Sequence, residues 1–377
     1  GQGLVGAPTI DWPALVARKR DFTEPVAERV EEWLASTGAE TLHGSARLLG
    51  AGRVAVGDRV LDATDIVVAA GSRPRPLDIP GEELVTTSDG FMELDALPPR
   101  VVFIGGGYIS FEFAWLTRMA GAHVAILHRG ARFLKGFDEE LAARLADRYR
   151  ELGIELVTDA PVRAVRRRED GLVAETDAGD YPADLVVHGA GRVADLADLD
   201  LDAAGVEWGP RGVRVDEHLR SVSDAHVWAA GDAADLGLPL TPVASAQGKV
   251  VAAGILGEES TYDGDATPSV VFSDPPLAVV GMGAAEAAER GDTIEVTRAD
   301  SGEWFSQKRL GQTHGGIALV SDAASGRLLG GHLLGVNADE VVNVLALAIR
   351  HGLTADDLTA MPWAYPTVAS DLPYASG

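Results

Sequence analysis

A run of glycines directly after an apolar strand is the first feature of the sequence that could do chemistry. Four apolar residues lead into Gly105, Gly106 and Gly107, and an apolar small-residue helix pattern follows. Gly105 permits a tight turn, and Gly107 lets backbone N–H groups approach a pyrophosphate where the helix dipole favours negative charge. The third position is Ser110, which still allows close packing of the helix on the strand. The pattern predicts a dinucleotide-binding turn; a plain tight turn is the alternative.

The end of the next predicted strand indicates which nicotinamide coenzyme this turn would take. In a NAD-specific site, this position carries an acidic residue that binds the ribose 2′-hydroxyl. Here the strand ends in His128 and Arg129, with Arg132 and Lys135 close behind and no carboxylate before Asp138. Cations at this point suit a 2′-phosphate, so the sequence predicts NADPH rather than NADH. An ordinary basic loop is the alternative.

Composition excludes several classes of protein. The chain has 377 residues, of which 46% are hydrophobic and 24% charged, as in a soluble globular protein of two or three domains. The net charge of −25 argues against a nucleic-acid partner. The acidity fits a salty cytoplasm or the residue usage of a high-GC genome, and both remain open. No apolar run reaches the roughly 18 residues of a membrane span, and no signal-like segment follows Gly1, so we expect a cytoplasmic protein.

The residue types that can bind metals or form disulfides indicate no further site in this sequence. The sequence contains no cysteine, which excludes disulfides and thiol chemistry within the chain as given. Its nine histidines show no metal-ligand spacing with carboxylates, so we expect no metal site.

The remaining elements must position these residues. Residues 11–37 show helical spacing and predict one long helix that ends at Gly38. Residues 65–70, 183–188 and 225–229 predict buried strands that each run into a glycine, and a small-residue helix is expected over 241–256. From residue 267 onward, short strands and two helices, 338–351 and 355–359, predict a separate α+β domain.

Taken in this order, the pieces resemble the FAD-dependent pyridine nucleotide–disulfide oxidoreductases, such as glutathione reductase, mercuric reductase and dihydrolipoamide dehydrogenase. The resemblance covers essentially the whole chain. It is carried by residues 69–74, 105–112, 189–192, 229–232, 272–276 and 331–340. It implies an α/β fold with two Rossmann-like nucleotide-binding domains, the FAD one incomplete at its N-terminus, and a C-terminal α+β dimerisation domain. The domains expected are FAD-binding (1–94 and 189–261), NAD(P)H-binding (95–188) and dimerisation (262–377).

The resemblance also implies roles for single residues in binding FAD. Asp232 corresponds to the aspartate that binds the flavin ribityl chain; a helix-capping or turn aspartate is the alternative. Val243 and Ala244 lie where the family's helix N-terminus faces the flavin pyrimidine. The other residues that the resemblance assigns to FAD are Gly71, Gly191, Arg192, Gly231 and Thr241.

On the nicotinamide side, the resemblance gives Tyr108 the place of a tyrosine that covers the flavin until nicotinamide displaces it; a core aromatic is the alternative. Glu112 corresponds to a glutamate that pairs with a lysine, and the resemblance implies that Tyr108 and Glu112 are both catalytic residues. The residues that would hold NADP, or NAD, are Gly105, Gly107, Tyr108, Ile109, Arg129 and Lys135.

The sequence departs from the family pattern at both ends. It begins beyond the family's first glycine-rich unit and redox cysteine pair, so we expect an omitted or truncated front segment. Near the C-terminus Tyr365 replaces a histidine and Ser370 a glutamate, with Asp371 one place late. Tyr365 would take the catalytic position, but tyrosine as a residue type, with an ordinary pKa of about 10, is a poorer general base than histidine.

Two functions follow from these observations. The first is an FAD-dependent NAD(P)H oxidoreductase that passes hydride-derived electrons through flavin to a disulfide or another small-molecule acceptor. The alternative is a truncated or non-catalytic nucleotide-binding dimer without functional flavin chemistry. The expected partner is a second copy, bound through the C-terminal domain, with neither nucleic acid nor membrane involved.

Overall fold

The computed structural model describes residues 9–291 and 293–375. Parts of the predicted FAD-binding domain (residues 1–8) and dimerisation domain (292 and 376–377) therefore lie outside the described residues. The α-helices of the described residues are α1 Trp12–Thr23, α2 Val26–Thr37, α3 Ser88–Met92, α4 Tyr108–Met119, α5 Glu139–Glu151, α6 Leu201–Ala204, α7 Thr241–Ile255, α8 Ala284–Glu289, α9 Phe305–Lys308, α10 Ala338–Arg350 and α11 Ala355–Ala360. Short 3₁₀ helices cover Glu82–Leu84, Ala197–Leu199, Gly231–Ala233 and Ala369–Ala375.

The strands fall into several small sheets. They are β1 Ala46–Gly50, β2 Arg53–Val56, β3 Arg59–Asp62, β4 Ile66–Val68, β5 Ser72–Pro74, β6 Arg100–Ile104, β7 His123–Leu127, β8 Glu155–Val157, β9 Val162–Arg168, β10 Gly171–Thr176, β11 Gly179–Ala183, β12 Leu185–His188, β13 Arg192–Ala194, β14 Trp208–Gly209, β15 Gly212–Val213, β16 Val227–Ala229, β17 Ser269–Val271, β18 Leu277–Gly281, β19 Ile294–Asp300, β20 Gly316–Asp322 and β21 Leu328–Leu334. The chain forms two compact units. One holds the described residues up to Val16, Leu77–Ala190 and those from Asp265 onward; the other holds Ala17–Pro76 and Gly191–Gly264.

The first unit contains a parallel sheet in the order β12-β6-β7-β8. The central strands β6 and β7 are buried apolar runs after their first residue, as expected where both faces of a parallel sheet are covered. In the centre of the sheet, Val102 pairs with Ala125 on one side and Val186 on the other. The core on one face joins α4 and α5 to the sheet, and the antiparallel strands β9–β11 contribute to a second core. This arrangement places the glycine-rich turn at the carboxyl end of β6.

The same unit contains a five-stranded antiparallel sheet in the order β17-β18-β21-β20-β19. Helix α10 packs on it, and its apolar residues Val342, Leu345 and Ala348 are buried in the core of this region. Sequence analysis predicted the strands and both helices of this α+β domain but not the short helices α8 and α9. The fold class expected from the sequence is therefore confirmed for this part of the chain.

The second unit is built from smaller sheets. Strands β4 and β16 form a parallel pair, β5 pairs antiparallel with β13, and β1-β2-β3 form a meander. Its core includes Val68, Trp228 and Ala229 from the parallel pair and Val250 and Val251 from α7.

Two predictions for this region need correction. The single helix expected over 11–37 is wrong, because the chain forms two helices that separate at Glu24 and Pro25. Proline has no N–H and clashes with the preceding turn, so it ends one helix and starts the next. The buried strand expected over 65–70 is shorter, and its central residue Val67 is 45% exposed. The end of the second helix at Gly38 is confirmed, with φ of +86°.

Candidate functional site

The glycine-rich turn connects β6 to α4 in the first unit. Gly105 has φ of +111°, and a Cβ atom there would lie 2.3 Å from the carbonyl oxygen of Gly189, so only glycine fits. Gly107 precedes α4, and no side chain caps the helix. The nearest atom to a Cβ at Gly107 would be 3.8 Å away, which leaves room beside the helix start. An uncapped helix N-terminus behind an open glycine is suited to bind a pyrophosphate.

Ser110 takes the third position of this motif and lies at the contact between helix and turn. Its side chain is fully buried, and its Oγ has no hydrogen-bond partner among the described residues. A Cβ atom on Gly189 would come within 2.1 Å of that oxygen. Glycine at position 189 is therefore what lets the helix approach this closely.

His128 ends the strand beside the turn, where a NAD-binding site would carry a carboxylate. Its Nδ1 accepts a hydrogen bond of 3.1 Å from the N–H of Gly106. The imidazole lies against Phe133, with the ring centroids 5.5 Å apart. Burial lowers the pKa of His128; the backbone at Arg132 opposes this, and the cations Lys135 and Arg129 reinforce it. A neutral imidazole that faces the turn thus replaces the acid.

The cations predicted to bind a 2′-phosphate follow in the loop between β7 and α5. Arg129 and Lys135 are both exposed, whereas Arg132 forms an ion pair with Glu139. The loop and α5 together enclose a cavity of about 290 Å³, lined by Lys135, Phe133 and Phe137 among others. The two proposed phosphate-binding cations are thus available to a ligand from solvent.

The next residues of α4 differ in their surroundings. Tyr108 is 46% exposed, and Ile109 is partly buried. The Oε1 of Glu112 accepts a hydrogen bond of 2.9 Å from the N–H of Phe272. Burial raises the pKa of Glu112, and this hydrogen bond acts in the opposite direction. Within the part of the chain that the structure describes, Glu112 has no lysine partner.

In the second unit, Asp232 belongs to a polar cluster that the sequence did not predict in full. Ser72 donates a hydrogen bond of 2.6 Å from its Oγ to Oδ2 of Asp232. Arg192 donates from Nε to Ser72 Oγ at 3.0 Å and from Nη2 to the Ser72 carbonyl oxygen at 2.6 Å. The three polar residues come from separate parts of the sequence, each following one of the predicted strand-and-glycine patterns. The carboxylate of Asp232 is thus oriented by Ser72 and keeps a second oxygen for a hydroxyl group.

The glycines of these patterns make the turns that bring the cluster together. Gly71, Gly191 and Gly231 have φ values of +70°, +106° and +65°. The N–H of Gly231 donates to Oε1 of the buried Gln247 at 2.7 Å, which connects this turn to α7. The connection to Gln247 could not be seen in the sequence.

Helix α7 begins near this cluster without a side-chain cap. Pro242 lies in its first turn, where the missing N–H costs no hydrogen bond. Thr241 is exposed, Val243 is buried and Ala244 is partly buried. Any interaction of this helix start with an anionic ring would therefore come from backbone N–H groups and the helix dipole, since the side chain of Val243 points into the core.

Near the C-terminus, two of the residues that depart from the family pattern differ in exposure. Tyr365 is 73% exposed and stacks on Phe305, with centroids 6.4 Å apart. Asp371 is buried and accepts a hydrogen bond from Ser306 Oγ. Burial raises the pKa of Asp371, and the hydrogen bond from Ser306 opposes this. The carboxylate is engaged inside its own domain.

Comparison with known families agrees with this geometry. The model of the pyridine nucleotide-disulphide oxidoreductases matches residues 9–248, and that of their dimerisation domain matches residues 267–375. The chain belongs to the pyridine nucleotide-disulphide oxidoreductase family. Members of this family are flavin-dependent reductases that use FAD and NAD(P)H.

Individual members of the family align over most of their length. Glutathione reductase from Burkholderia cepacia is 32% identical over 97% of this chain and 82% of its own. Mercuric reductase from Streptomyces lividans is 33% identical over 98% of this chain and 80% of its own. Among solved structures, the Cu(II) complex of a mutant of RclA, an HOCl-induced flavoprotein disulfide reductase from Escherichia coli, has a TM-score of 0.89. It is 26% identical, and the match covers 97% of this chain and 85% of that one.

Membrane-spanning helices and metal-ligand clusters are both absent from the described residues. None of the described helices is long and apolar enough to cross a membrane. Over the same residues, no group of three or more histidines and carboxylates could hold a metal ion.

Sequence reasoning missed several polar residues of these sites. Ser72 had a usable signal, because it directly follows Gly71 at the end of a predicted strand. Ser306 and Gln247 had none, since their partners lie 65 and 16 residues away. The turn of the His128 ring toward Gly106 also depends on packing that the sequence does not display.

Proposed function

We propose that this flavin-dependent oxidoreductase takes its electrons from NADPH in preference to NADH. The observation that carries the proposal is the end of β7, where the neutral His128 stands in place of a carboxylate and the exposed Arg129 and Lys135 follow. A carboxylate would bind the two ribose hydroxyls of NADH and repel a 2′-phosphate. Two exposed cations instead attract a 2′-phosphate, with charge-assisted hydrogen bonds from the guanidinium group.

The same turn would hold the pyrophosphate. Gly107 and Ile109 would bring backbone N–H groups and the positive end of α4 to the phosphates, and Gly105, whose own N–H donates to the Leu127 carbonyl oxygen, would shape the turn. Tyr108 remains the proposed side chain that gives way to the nicotinamide, and its exposure is consistent with movement. Glu112 keeps a proposed catalytic place, although its Phe272 contact supports a structural role equally well.

FAD, when bound, accepts a hydride from the nicotinamide and passes electrons on. For the second unit we propose that Asp232, oriented by Ser72 and Arg192, binds the ribityl hydroxyls of the flavin. The uncapped start of α7, at Thr241, Val243 and Ala244, would stabilise negative charge on the ring. Gly71, Gly191 and Gly231 would let the backbone approach the cofactor.

The acceptor of the electrons is a disulfide or another small molecule. The printed sequence supplies no cysteine, so a thiol relay would have to come from outside it. Tyr365 stands in the position of the family's histidine, and as an exposed aromatic it is suited to contact an acceptor.

We further propose a cytoplasmic homodimer that associates through the C-terminal domain. The match of residues 267–375 to the family's dimerisation domain supports the dimer. The assignment of 1–94 and 189–261 to FAD binding, 95–188 to NAD(P)H binding and 262–377 to dimerisation belongs to this proposal.

The test is spectroscopic. The purified protein should be yellow with flavin absorbance bands, and anaerobic NADPH should bleach them faster than the same concentration of NADH. A yellow protein that NADH bleaches equally well would contradict the coenzyme preference. A colourless protein that binds nucleotide and cannot be reconstituted with FAD would favour the non-catalytic alternative.

A further inference from the structure

Gly106, the middle glycine of the turn, is hydrogen-bonded on both sides to the strand end and loop that carry the proposed phosphate-binding cations. Its N–H donates to Nδ1 of His128 at 3.1 Å. Its carbonyl oxygen accepts from the N–H of Leu134 at 2.8 Å. Residues 129–137 are called the cation loop below. The loop is therefore fixed to the turn at two points, one just before it and one inside it.

Each of the two cations directly follows one of these contacts in the sequence. Arg129 comes after His128, and Lys135 comes after Leu134. A displacement of either contact would move the adjoining cation relative to the turn. Together with the bond of 2.9 Å from the Gly105 N–H to the Leu127 carbonyl oxygen, the two hydrogen bonds thus fix the turn against the loop, and so the distance between a pyrophosphate at the turn and a 2′-phosphate at the loop.

Packing around Gly106 reinforces the arrangement. A Cβ atom there would lie 2.5 Å from Cδ1 of Phe133 and 2.7 Å from Cγ of His128. Leu134 is buried and adopts a positive φ of +50°, a conformation that an ordinary residue keeps only when its surroundings impose it. The glycine, the imidazole and the loop therefore fit one another closely.

The two contacts differ in how sequence can alter them. The Leu134 contact uses backbone atoms and survives most substitutions. The His128 contact needs an acceptor at the position of Nδ1, because a backbone N–H can only donate. A side chain without an acceptor there would leave the Gly106 N–H unpaired and remove the side-chain link between the turn and the start of the loop, whose backbone stays bonded to Val157 and Ala160 through His128.

We propose that His128 is a positioning residue for the 2′-phosphate: the bond from the Gly106 N–H to its Nδ1 fixes the turn against the start of the cation loop and so sets the place of Arg129 relative to the pyrophosphate. This inference rests on the proposed NADPH preference and adds the group that organises it. His128 acts through Arg129, so its removal should weaken recognition of the 2′-phosphate more than recognition of the rest of the nucleotide.

The experiment uses four variants of the full chain and two ligands. His128→Asn places an amide oxygen near the position of Nδ1, whereas His128→Gln carries its polar atoms about one bond farther out and His128→Leu has no acceptor. His123→Leu, at the exposed start of the same strand, is the matched control. Calorimetry measures the Kd of 2′,5′-ADP, which has the 2′-phosphate, and of 5′-ADP, which lacks it.

We expect His128→Gln and His128→Leu to raise the Kd of 2′,5′-ADP about five- to tenfold, which is the effect of one lost hydrogen bond. The Kd of 5′-ADP should change much less in these two variants. In His128→Asn and His123→Leu, the ratio of the two Kd values should stay as in the wild type. If the wild type prefers 2′,5′-ADP and the His128→Gln protein, folded by circular dichroism, keeps that preference, the inference is wrong. If the wild type binds the two ligands equally, the proposed NADPH preference fails, and this inference with it.

Discussion

Ser306 and Asp371 are joined by a hydrogen bond from the serine hydroxyl to the aspartate carboxylate, and both side chains are buried. The partners lie 65 residues apart in the sequence. Tyr365, in contrast, is exposed and stacks on Phe305. The carboxylate nearest in sequence to the family's glutamate position therefore serves the packing of the C-terminal domain.

Substitution of Asp371 should consequently affect stability. Asp371→Ala leaves the buried Ser306 hydroxyl without an acceptor, which costs about 1–3 kcal/mol of unfolding free energy. Asp371→Asn keeps an acceptor oxygen and should cost clearly less. Urea unfolding measures both. Equal losses for the two variants, or a pH profile of turnover that changes in Asp371→Asn, would contradict a structural role.

Ser110 and Gly189 form a pair that a double-variant experiment can test. Gly189→Ala places a methyl group on the Ser110 hydroxyl, and such overpacking costs about 1–3 kcal/mol. Ser110→Ala removes a buried hydroxyl that has no partner among the described residues, so this variant should be at least as stable as the wild type. Thermal unfolding of the double variant should recover part of the loss seen in Gly189→Ala. If the stability changes of the two single variants simply add in the double variant, the Ser110 hydroxyl is not the cause of the loss seen in Gly189→Ala.

Two neutral histidines predict a pH dependence of stability. Nδ1 of His128 accepts from Gly106, and Nδ1 of the buried His332 accepts from the N–H of Asp138 at 3.1 Å, at the far end of the cation loop. Burial lowers the pKa of His332, and of the charges facing it Asp138 opposes this and Arg298 adds to it. Around His128, burial and the cations Lys135 and Arg129 lower the pKa, against the backbone at Arg132 and the carboxylate of Asp159.

The sign follows from the proton balance. Between the lowered pKa values of the folded state and about 6.5 in the unfolded chain, the unfolded state binds more protons. The contribution of these two histidines to the unfolding free energy should therefore be level above about pH 6.5 and fall as the pH decreases below it. Urea unfolding at pH 5.5 and 7.5 measures the difference. In the double variant His128→Asn, His332→Asn, the unfolding free energies at pH 5.5 and 7.5 should differ less than in the wild type. If they differ as much, groups other than these histidines cause the pH dependence.

The cluster of Asp232, Ser72 and Arg192 predicts flavin content. Asp232→Ala should purify with much less FAD than the wild type, because it loses the proposed ribityl acceptor. Ser72→Ala should lose less, since Asp232 remains but is no longer oriented by the Ser72 hydroxyl. The ratio of flavin absorbance to protein absorbance gives the result. Asp235→Ala, a carboxylate three residues along the chain, is the control; full flavin content in Asp232→Ala would remove this residue from the site.

The sequence predicted most elements because their patterns are local. The apolar run before Gly105 gave β6, and the alternation from Ile294 onward gave a strand of the antiparallel sheet. Pro25 carried a usable signal for the helix break, but the continuing helical spacing on both sides outweighed it. The exposed centre of β4, at Val67, could not be predicted, since an apolar run does not reveal how much of each face is covered.

In the candidate site too, local patterns could be predicted from the sequence and long-range contacts could not. Glycine-rich turns and the cations of the loop were visible as types and spacings. The direction of the His128 ring and the pairing of Asp138 with Arg298, 160 residues away, depend on how distant segments pack. Residues that act through another residue were therefore missed more often than those that would touch the cofactor.

The most direct test of the account compares flavin reduction by NADPH and NADH in the wild type and in Arg129→Glu. The control is Arg53→Glu, which makes the same charge change on the exposed Arg53 of β2. Stopped-flow absorbance under anaerobic conditions gives both rates as a function of coenzyme concentration. We expect Arg129→Glu to lose most of its rate with NADPH at low concentration and little with NADH, while the control matches the wild type. Equal losses with both coenzymes, or none with either, would contradict the claim that this loop binds a 2′-phosphate.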